Sequence, residues 1–548
     1  MGHDRSLRPS GATAPSGARM VAARLTGRPV STGPPAPSSA CLPACLPVTG
    51  RCRPSLGTAA ASARRHGAPC RAVRDFREKS EARRSILGSA APGQGWRLAD
   101  RPPTPQGRPA LDAIERFLPL LDAVHDTVVE VRARSTDYLG RHPLTVPEVL
   151  LERATGPGNG GAAHLAARLG RAYGVTVRPT QDEHGPTVVD RLLEHRASRG
   201  SSHRGVTHPA GPGAVPWSGT DALIEAARRR QNESDRLLDT QAAHVAQEPL
   251  RRVGVMGGVL TYHAAGEPDP SRAPVVVLNA LGMGLGPWHR LIAVLAHDHR
   301  VLAWSPRGCA PGERPLRLND HVADLVAVLH AEGVRDCHLL AWCTGPKVAL
   351  EFHRRAPAAV RSMAFLHGSF RVLDRPDDPD TAYERNLESM CWSVARRPAL
   401  AEAMRRMLAG DLEKPPDAAA SDAAACARHV LSAPSRALAE EARRPFSSAP
   451  VLRAYARQLL DFWTCDPLPH APRVTVPVLA VTGALDRTAS PDRLVRDVRR
   501  FPGGRHVQLL AAGHHVVHDR PHELAELLGT FFARSSNAEP AAEPGLGS

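Results

Sequence analysis

A cysteine, an aspartate and a histidine stand in that order in the C-terminal half of the chain, each at the end of a short apolar run. Cys343 lies in "LLAWCTGPKVALEF", Asp486 in "VLAVTGALDRTASP" and His514 in "LLAAGHHVVHDRPHELAELL". A histidine can take the proton of a thiol, and a carboxylate can hold that histidine in one orientation. The resulting thiolate is a strong nucleophile. The residues two before and two after Cys343 are small, Ala341 and Gly345. A tight strand-to-helix turn with strained backbone at the nucleophile needs such neighbours. Pro346 suits the first turn of the helix that follows, where its missing N–H costs little. His515 is the adjacent alternative to His514, and Asp374 is the weaker alternative to Asp486. His518 and His522 read as solvated or capping residues.

Something must carry these residues to one place. From about residue 251, short apolar runs alternate with amphipathic helices. "GGVLTYHAAG" reads as an edge strand, "APVVVLNALG" and "HRVLAWSPRG" as strands, and "DHVADLVAVLHAEGV" as a helix. "CHLLAWC", "VRSMAFLHGS", "VPVLAVTG" and "RHVQLLAAG" continue the strands, and "PHELAELLGTFFARS" closes with a helix. This alternation predicts an α/β fold: a mainly parallel sheet with helices on both faces. Functional groups then collect at the carboxyl ends of the strands. Between about 373 and 470 helices dominate, which predicts an inserted cap over the site. Trp392, Phe462 and Trp463 are candidate substrate-binding residues in that cap, and Trp342 is one beside the nucleophile.

The order Cys343, Asp486, His514 resembles that of the α/β-hydrolase superfamily, over residues 251–535. The resemblance implies an oxyanion hole made of two backbone N–H groups. One belongs to Thr344, after the nucleophile. The other comes from "LNALGMGLGPW", where Asn279 and Ala280 stand in place of the usual His-Gly. Leu281 is the expected donor, with Ala280 next. Gly282, Gly284 and Gly286 would let the backbone approach a substrate. No P-loop Lys-Ser/Thr follows these glycines.

A thiol in place of serine narrows the chemistry. Its acyl product is a thioester, so moving an acyl group from one thiol to another is nearly neutral in free energy. The "WCTG" elbow resembles that of cysteine-dependent acyltransferases and type II thioesterase-like proteins of nonribosomal peptide and polyketide pathways. This resemblance implies an acyl or aminoacyl transferase whose partners are acyl or peptidyl carrier proteins, or acyl-CoA. Phosphopantetheine would enter only as the substrate's arm, with no bound cofactor and no metal. A thioesterase or an ester or lactone hydrolase uses the same residues with water as acceptor. A non-catalytic interaction scaffold is the alternative from another class.

The rest of the chain divides by composition. Residues 1–108 are rich in Pro, Ala, Ser, Gly and Arg and read as a disordered tail. Residues 109–200 read as a small helical module. Its stretch "AAHLAARLGRAYGVTVRPTQDEHGPTVVDRLLEHRA" resembles the second half of a carrier protein. Asn159, in "GPGNGG", stands where a carrier has its phosphopantetheine serine, and an amide cannot accept that group. Residues 201–250 read as a linker and a brace helix, and 536–548 as a second disordered tail. The 548 residues carry a net charge of +15, but only three are lysine and no aromatic-interleaved basic module is present. Nucleic-acid binding is therefore not expected. No apolar run is long enough for a membrane span. The ten cysteines form no CxxC pair, so neither a zinc site nor a disulfide framework is expected, and the cytoplasm is the expected compartment.

Overall fold

Strands β5 (Val275–Leu278), β7 (Cys337–Trp342) and β9 (Val478–Gly483) are buried at every residue. Strands covered on both faces need continuous apolar runs, which is why these segments do not alternate. The computed structural model describes residues 108–155, 161–180, 185–202, 220–310, 313–375, 377–411 and 422–536. The segment 1–107, Asn159 and the C-terminal residues 537–548 lie outside the described residues.

With β3 (Arg251–Val255), β4 (Gly258–Ala265), β6 (Val301–Ala303), β8 (Val360–Leu366) and β10 (Gly504–Leu509) these strands form one eight-stranded sheet. Its order is β10-β9-β8-β7-β5-β6-β4-β3. The β3–β4 and β4–β6 pairs are antiparallel and the remaining pairs parallel. The sheet is thus the expected mainly parallel one, with one difference at its margin. "GGVLTYHAAG" is β4, paired on both sides, and the edge is β3. The exposed, Arg-rich β3 lacks the apolar alternation that marks a strand in sequence.

The segment between β8 and β9 is helical, as its composition predicts. Its main helices are Ala382–Arg396, Ala401–Asp411, Ala423–Ser432 and Ala449–Thr464. A capping box starts the first: Thr381 accepts from the Glu384 N–H, and Glu384 accepts from the Thr381 N–H. Arg493, fully buried on the helix after β9, pairs with Asp380 and Glu384. These pairs tie the cap to the sheet domain. Lys347, buried in the first turn of the helix Gly345–Arg355, donates to the carbonyls of Arg371, Phe462 and Cys465 at 2.6, 2.5 and 2.7 Å. Burial pushes this lysine down to about 7.

The preceding module has four principal helices, Arg108–Arg134, Glu148–Thr155, Gly161–Tyr173 and Val188–Ser202. It also has a strand pairing, of which the sequence announces only a short extended piece after Gly174. Leu144–Val146 (β1) pairs in parallel with Val177–Pro179 (β2). Three-residue strands are too short to set up a periodic pattern. Asp190 holds this unit together, accepting from the Thr145 and Thr187 N–H groups at 2.6 Å each. The brace helix, Thr220–Gln247, packs on the module through Gln231, which contacts Tyr173 and Asp122. It reaches the sheet domain through Asp239 and Arg290.

The module is not an appendage. Its core continues into Ala427, Val430 and Leu431 of the cap and Ala511 of the loop before His514. Glu130 meets Arg134, Arg196 and Arg520, all with nearly buried side chains. The arginines hold its carboxyl down at about 2 against the cost of burial. Arg520 also donates to the carbonyls of Leu510 and Ala511, both at 2.7 Å. The module's first helix is therefore bonded to the loop that carries His514.

Candidate active site

Cys343 follows the last residue of β7 and precedes the helix Gly345–Arg355. Its φ is 53°, in the left-handed region that costs a non-glycine residue roughly 1–3 kcal/mol. The turn is fixed from both sides: the Cys343 N–H donates to Leu366 O at 3.1 Å, and Cys343 O accepts from Ser369 N at 2.7 Å. Gly345 is required sterically. A Cβ there would stand 2.2 Å from the carbonyl oxygen of Leu278.

Asp486 lies in the turn after β9, and His514 in the loop after β10. His514 Nδ1 is 2.9 Å from Asp486 Oδ2, and the Cys343 sulfur is within electrostatic reach of its ring. The indole N–H of Trp342 donates to His514 O at 3.1 Å, and the two rings lie 5.3 Å apart. Burial opposes an imidazolium here, but the Asp486 carboxylate and the Cys343 sulfur outweigh it and push His514 up to about 10. Asp486 is the counterpart. Burial opposes its charge, yet the His514 and His367 rings hold its carboxyl well below the usual carboxylate range.

The alternatives lie elsewhere. His515 is half-buried with its Nδ1 unpartnered among the described residues, and burial drives it down to about 3. His518 contacts Asp519. Asp374 is an exposed residue with φ 61°.

His367 was not singled out by the sequence. It follows β8 and is fully buried, and its Nδ1 lies 2.8 Å from the same Asp486 Oδ2. Asp486 Oδ1 accepts from the N–H groups of Thr488 and Ala489 at 2.8 and 3.0 Å. The carboxylate therefore receives four hydrogen bonds, two from imidazoles and two from backbone. One local signal was available. A histidine directly after a buried strand ends at the same edge of the sheet as Cys343. His367, Asp486 and His514 also bring atoms suited to metal binding within 4.8 Å of one another. In the present arrangement the Nδ1 atoms and the carboxylate are already partners of each other.

The oxyanion loop differs from expectation. The Leu281 N–H donates to the Thr344 hydroxyl oxygen at 2.9 Å, so it is not a vacant donor. The Ala280 N–H is taken by the side-chain oxygen of Asn279. Asn279 organises the whole loop. Its amide donates to the carbonyls of Met283 and Gly284, and its oxygen also accepts from Trp288 Nε1. Having accepted the Leu281 N–H, the Thr344 hydroxyl keeps its own proton to donate.

The expected aromatic lining is also redistributed. Trp392 is 36% exposed, with Arg396 over its ring. Phe462 is buried against His321, and Trp463 lies under Arg371. Trp342 packs on His514, as described above. The phenols of Tyr383 and Tyr455, from the first and last main cap helices, lie within electrostatic reach of Cys343. A Cβ on Gly282, whose φ is 77°, would meet the Tyr455 ring at 3.0 Å, so this cap helix lies directly on the oxyanion loop.

Residues 273–521 match a family described as the alpha/beta hydrolase fold. With the sheet order and the three loops in place, the sheet domain has the α/β-hydrolase fold. A pimeloyl-[acyl-carrier protein] methyl ester esterase of Aeromonas hydrophila is 25% identical over 261 residues, 47% of this chain and 94% of that protein. RutD of Azorhizobium caulinodans, named as a carbamate hydrolase, is 29% identical over 102 residues, 18% of this chain. The chain spans only 38% of that relative's length. An enol-lactonase from Burkholderia xenovorans is similar in structure, with 18% identity and a TM-score of 0.40 over 52% of this chain and 100% of that one. No helix among the described residues is long and apolar enough to cross a membrane.

Proposed function

We propose that the α/β-hydrolase domain transfers an acyl group from a thioester donor through an acyl-enzyme on Cys343. The observation that carries this reading is the placement of Cys343, in a strained elbow and within electrostatic reach of a histidine that Asp486 orients at 2.9 Å. His514 takes the thiol proton, and the thiolate attacks the thioester carbonyl carbon. The carbonyl π electrons move to oxygen, where the Thr344 N–H and hydroxyl stabilise the charge. Collapse breaks the donor's C–S bond, and the leaving thiolate takes the proton from His514. A second thiol gives its proton to His514, attacks the Cys343 thioester and releases the cysteine. Tyr383 and Tyr455 face the acyl group in this reading. Carrier proteins or acyl-CoA present the donor arm.

Hydrolysis is the second reading, favoured by the esterase name of the Aeromonas relative. It differs only in the second acceptor. The two are separated by forming the acyl-enzyme with an acyl-pantetheine donor and chasing it with pantetheine or with buffer. Transfer predicts discharge to the thiol faster than to water. Equal loss in buffer alone makes the protein a thioesterase.

The threonine role gives its own expectation. Thr344→Ala should slow acylation about a hundredfold, and Thr344→Ser should stay within a few-fold of the wild type. If Leu281 were the direct donor, Thr344→Ala would free its N–H and leave the rate unchanged. Stopped-flow release of the donor thiol distinguishes the two.

A further inference from the structure

His367 sits where ordinary packing would not put a histidine. Its backbone is left-handed, with φ 47°. Its side chain has no exposure, and its Nε2 has no partner among the described residues. A buried acceptor without a donor costs roughly 1–3 kcal/mol, and the positive φ adds to that. Such costs persist where the surrounding structure over-determines them, often at functional sites. What His367 gains is one bond, from Nδ1 to Asp486 Oδ2 at 2.8 Å. That oxygen is the one that also receives His514, and the two rings meet edge to face at 5.5 Å.

We propose that His367 is a positioning residue that shares the Asp486 carboxylate with His514, so limiting how strongly that carboxylate holds the His514 proton. The inference rests on the Cys343–His514 reading above. Its physical basis is charge sharing. Each donor to a carboxylate stabilises and spreads the negative charge, and less remains for the other donors. His367 acts as a neutral donor: its burial disfavours an imidazolium, although Asp486 pulls the other way. The orphaned Nε2 fits this tautomer, with the proton on Nδ1 and a bare nitrogen facing apolar surroundings. A histidine that must both take a proton from a thiol and return it to a leaving thiol works best when the proton is not held too tightly.

The other charged and titratable groups facing this centre are Cys343, His515, Arg520, Tyr383 and Tyr455, with Arg134 and Asp519 behind His515. Without His367, Asp486 keeps its two backbone donors on Oδ1, so its orientation survives. Its full charge on Oδ2 then falls on His514. The thiolate–imidazolium pair should therefore form at lower pH.

The test is the pH profile of Cys343 alkylation by iodoacetamide, read on the Cys343 peptide from the full chain by mass spectrometry. In His367→Ala the midpoint should fall by about half a pH unit or more. In His367→Asn it should match the wild type. The asparagine amide nitrogen occupies the place of Nδ1, and asparagine tolerates positive φ. A His367→Ala profile that overlays the wild type, or moves upward, overturns the proposal. A merely structural role would lower the melting temperature and leave the midpoint in place. If His367→Ala does not fold, 15N-histidine-labelled wild-type chain supplies the readout. One buried ring should keep the Nδ1–H tautomer from about pH 5 to about pH 9 and respond to Cys343 alkylation. Absence of that ring overturns the proposal. A His514→Ala control tests the underlying pair. If its profile matches the wild type, the Cys343–His514 reading itself fails, which is a separate result.

Discussion

His514→Ala should lower the rate of Cys343 acylation by about a thousandfold while leaving the fold intact. The size follows from what the ring does in both half-reactions. General acid–base catalysis by a positioned histidine contributes roughly 10²–10⁴-fold. Here the imidazolium is also the counter-ion of the thiolate. Asp486→Asn should follow the same direction with a smaller loss, because an amide can still bond the ring but no longer carries the charge that pushes His514 up to about 10. The sign with pH is set by that value. His514 stays protonated beside the sulfur up to about pH 10, so Cys343 keeps its cationic neighbour through neutral pH. Above that the ring loses its proton, and acylation of the wild type should change there. His514→Ala should show no such upper limb. Rapid-quench acylation across pH checks both statements, and an unchanged rate in His514→Ala would contradict them.

Gly345→Ala should damage the fold and the site together. The added carbon would stand 2.2 Å from the Leu278 carbonyl oxygen, and 3.0 Å from its carbonyl carbon. Those are backbone atoms of β5, paired to β7 in the middle of the sheet. They cannot swing aside like a side-chain tip. Overpacking at a rigid contact costs roughly 1–3 kcal/mol, occasionally more. Any relaxation must come from the elbow, which moves Cys343 away from His514. The expected result is a loss on the order of 3 kcal/mol in denaturant titration, together with loss of rapid Cys343 alkylation. Gly284→Ala provides the contrast. Its Cβ would meet the side-chain ends of Arg444 and Glu441, which can turn away, so its stability should be almost unchanged.

The two predictions differ in how far the sequence foretold them. The buried strands β5, β7 and β9 were legible because a parallel sheet covered on both faces demands unbroken apolar runs. The same alternation placed Cys343, Asp486 and His514 at strand ends. The need for a small residue at 345 was legible as turn chemistry, but its partner, Leu278 O, is 67 residues away in sequence and carries no local mark. The oxyanion loop shows the opposite case. Its position was readable, but the bond between the Leu281 N–H and the Thr344 hydroxyl depends on a side chain in another loop. Residues of the cap were the least readable. Trp392, Phe462 and Trp463 are large and apolar in either role, and only packing separates core from lining. His367 was hidden for a similar reason. One histidine after one strand means little until Asp486 is brought beside it. The join between the helical module and the His514 loop, through Glu130 and Arg520, links residues 390 apart and has no sequence signature.

The measurement that tests the central claim most directly is intact mass after incubation with a panel of acyl-pantetheine thioesters, with Cys343→Ala beside the wild type. The account predicts a gain equal to one acyl group on the wild type, absent from Cys343→Ala. No adduct from any donor, on protein shown to be folded, would contradict it and leave the domain as an interaction scaffold or an enzyme for another substrate class. An adduct that persists in Cys343→Ala would place the chemistry elsewhere in the molecule.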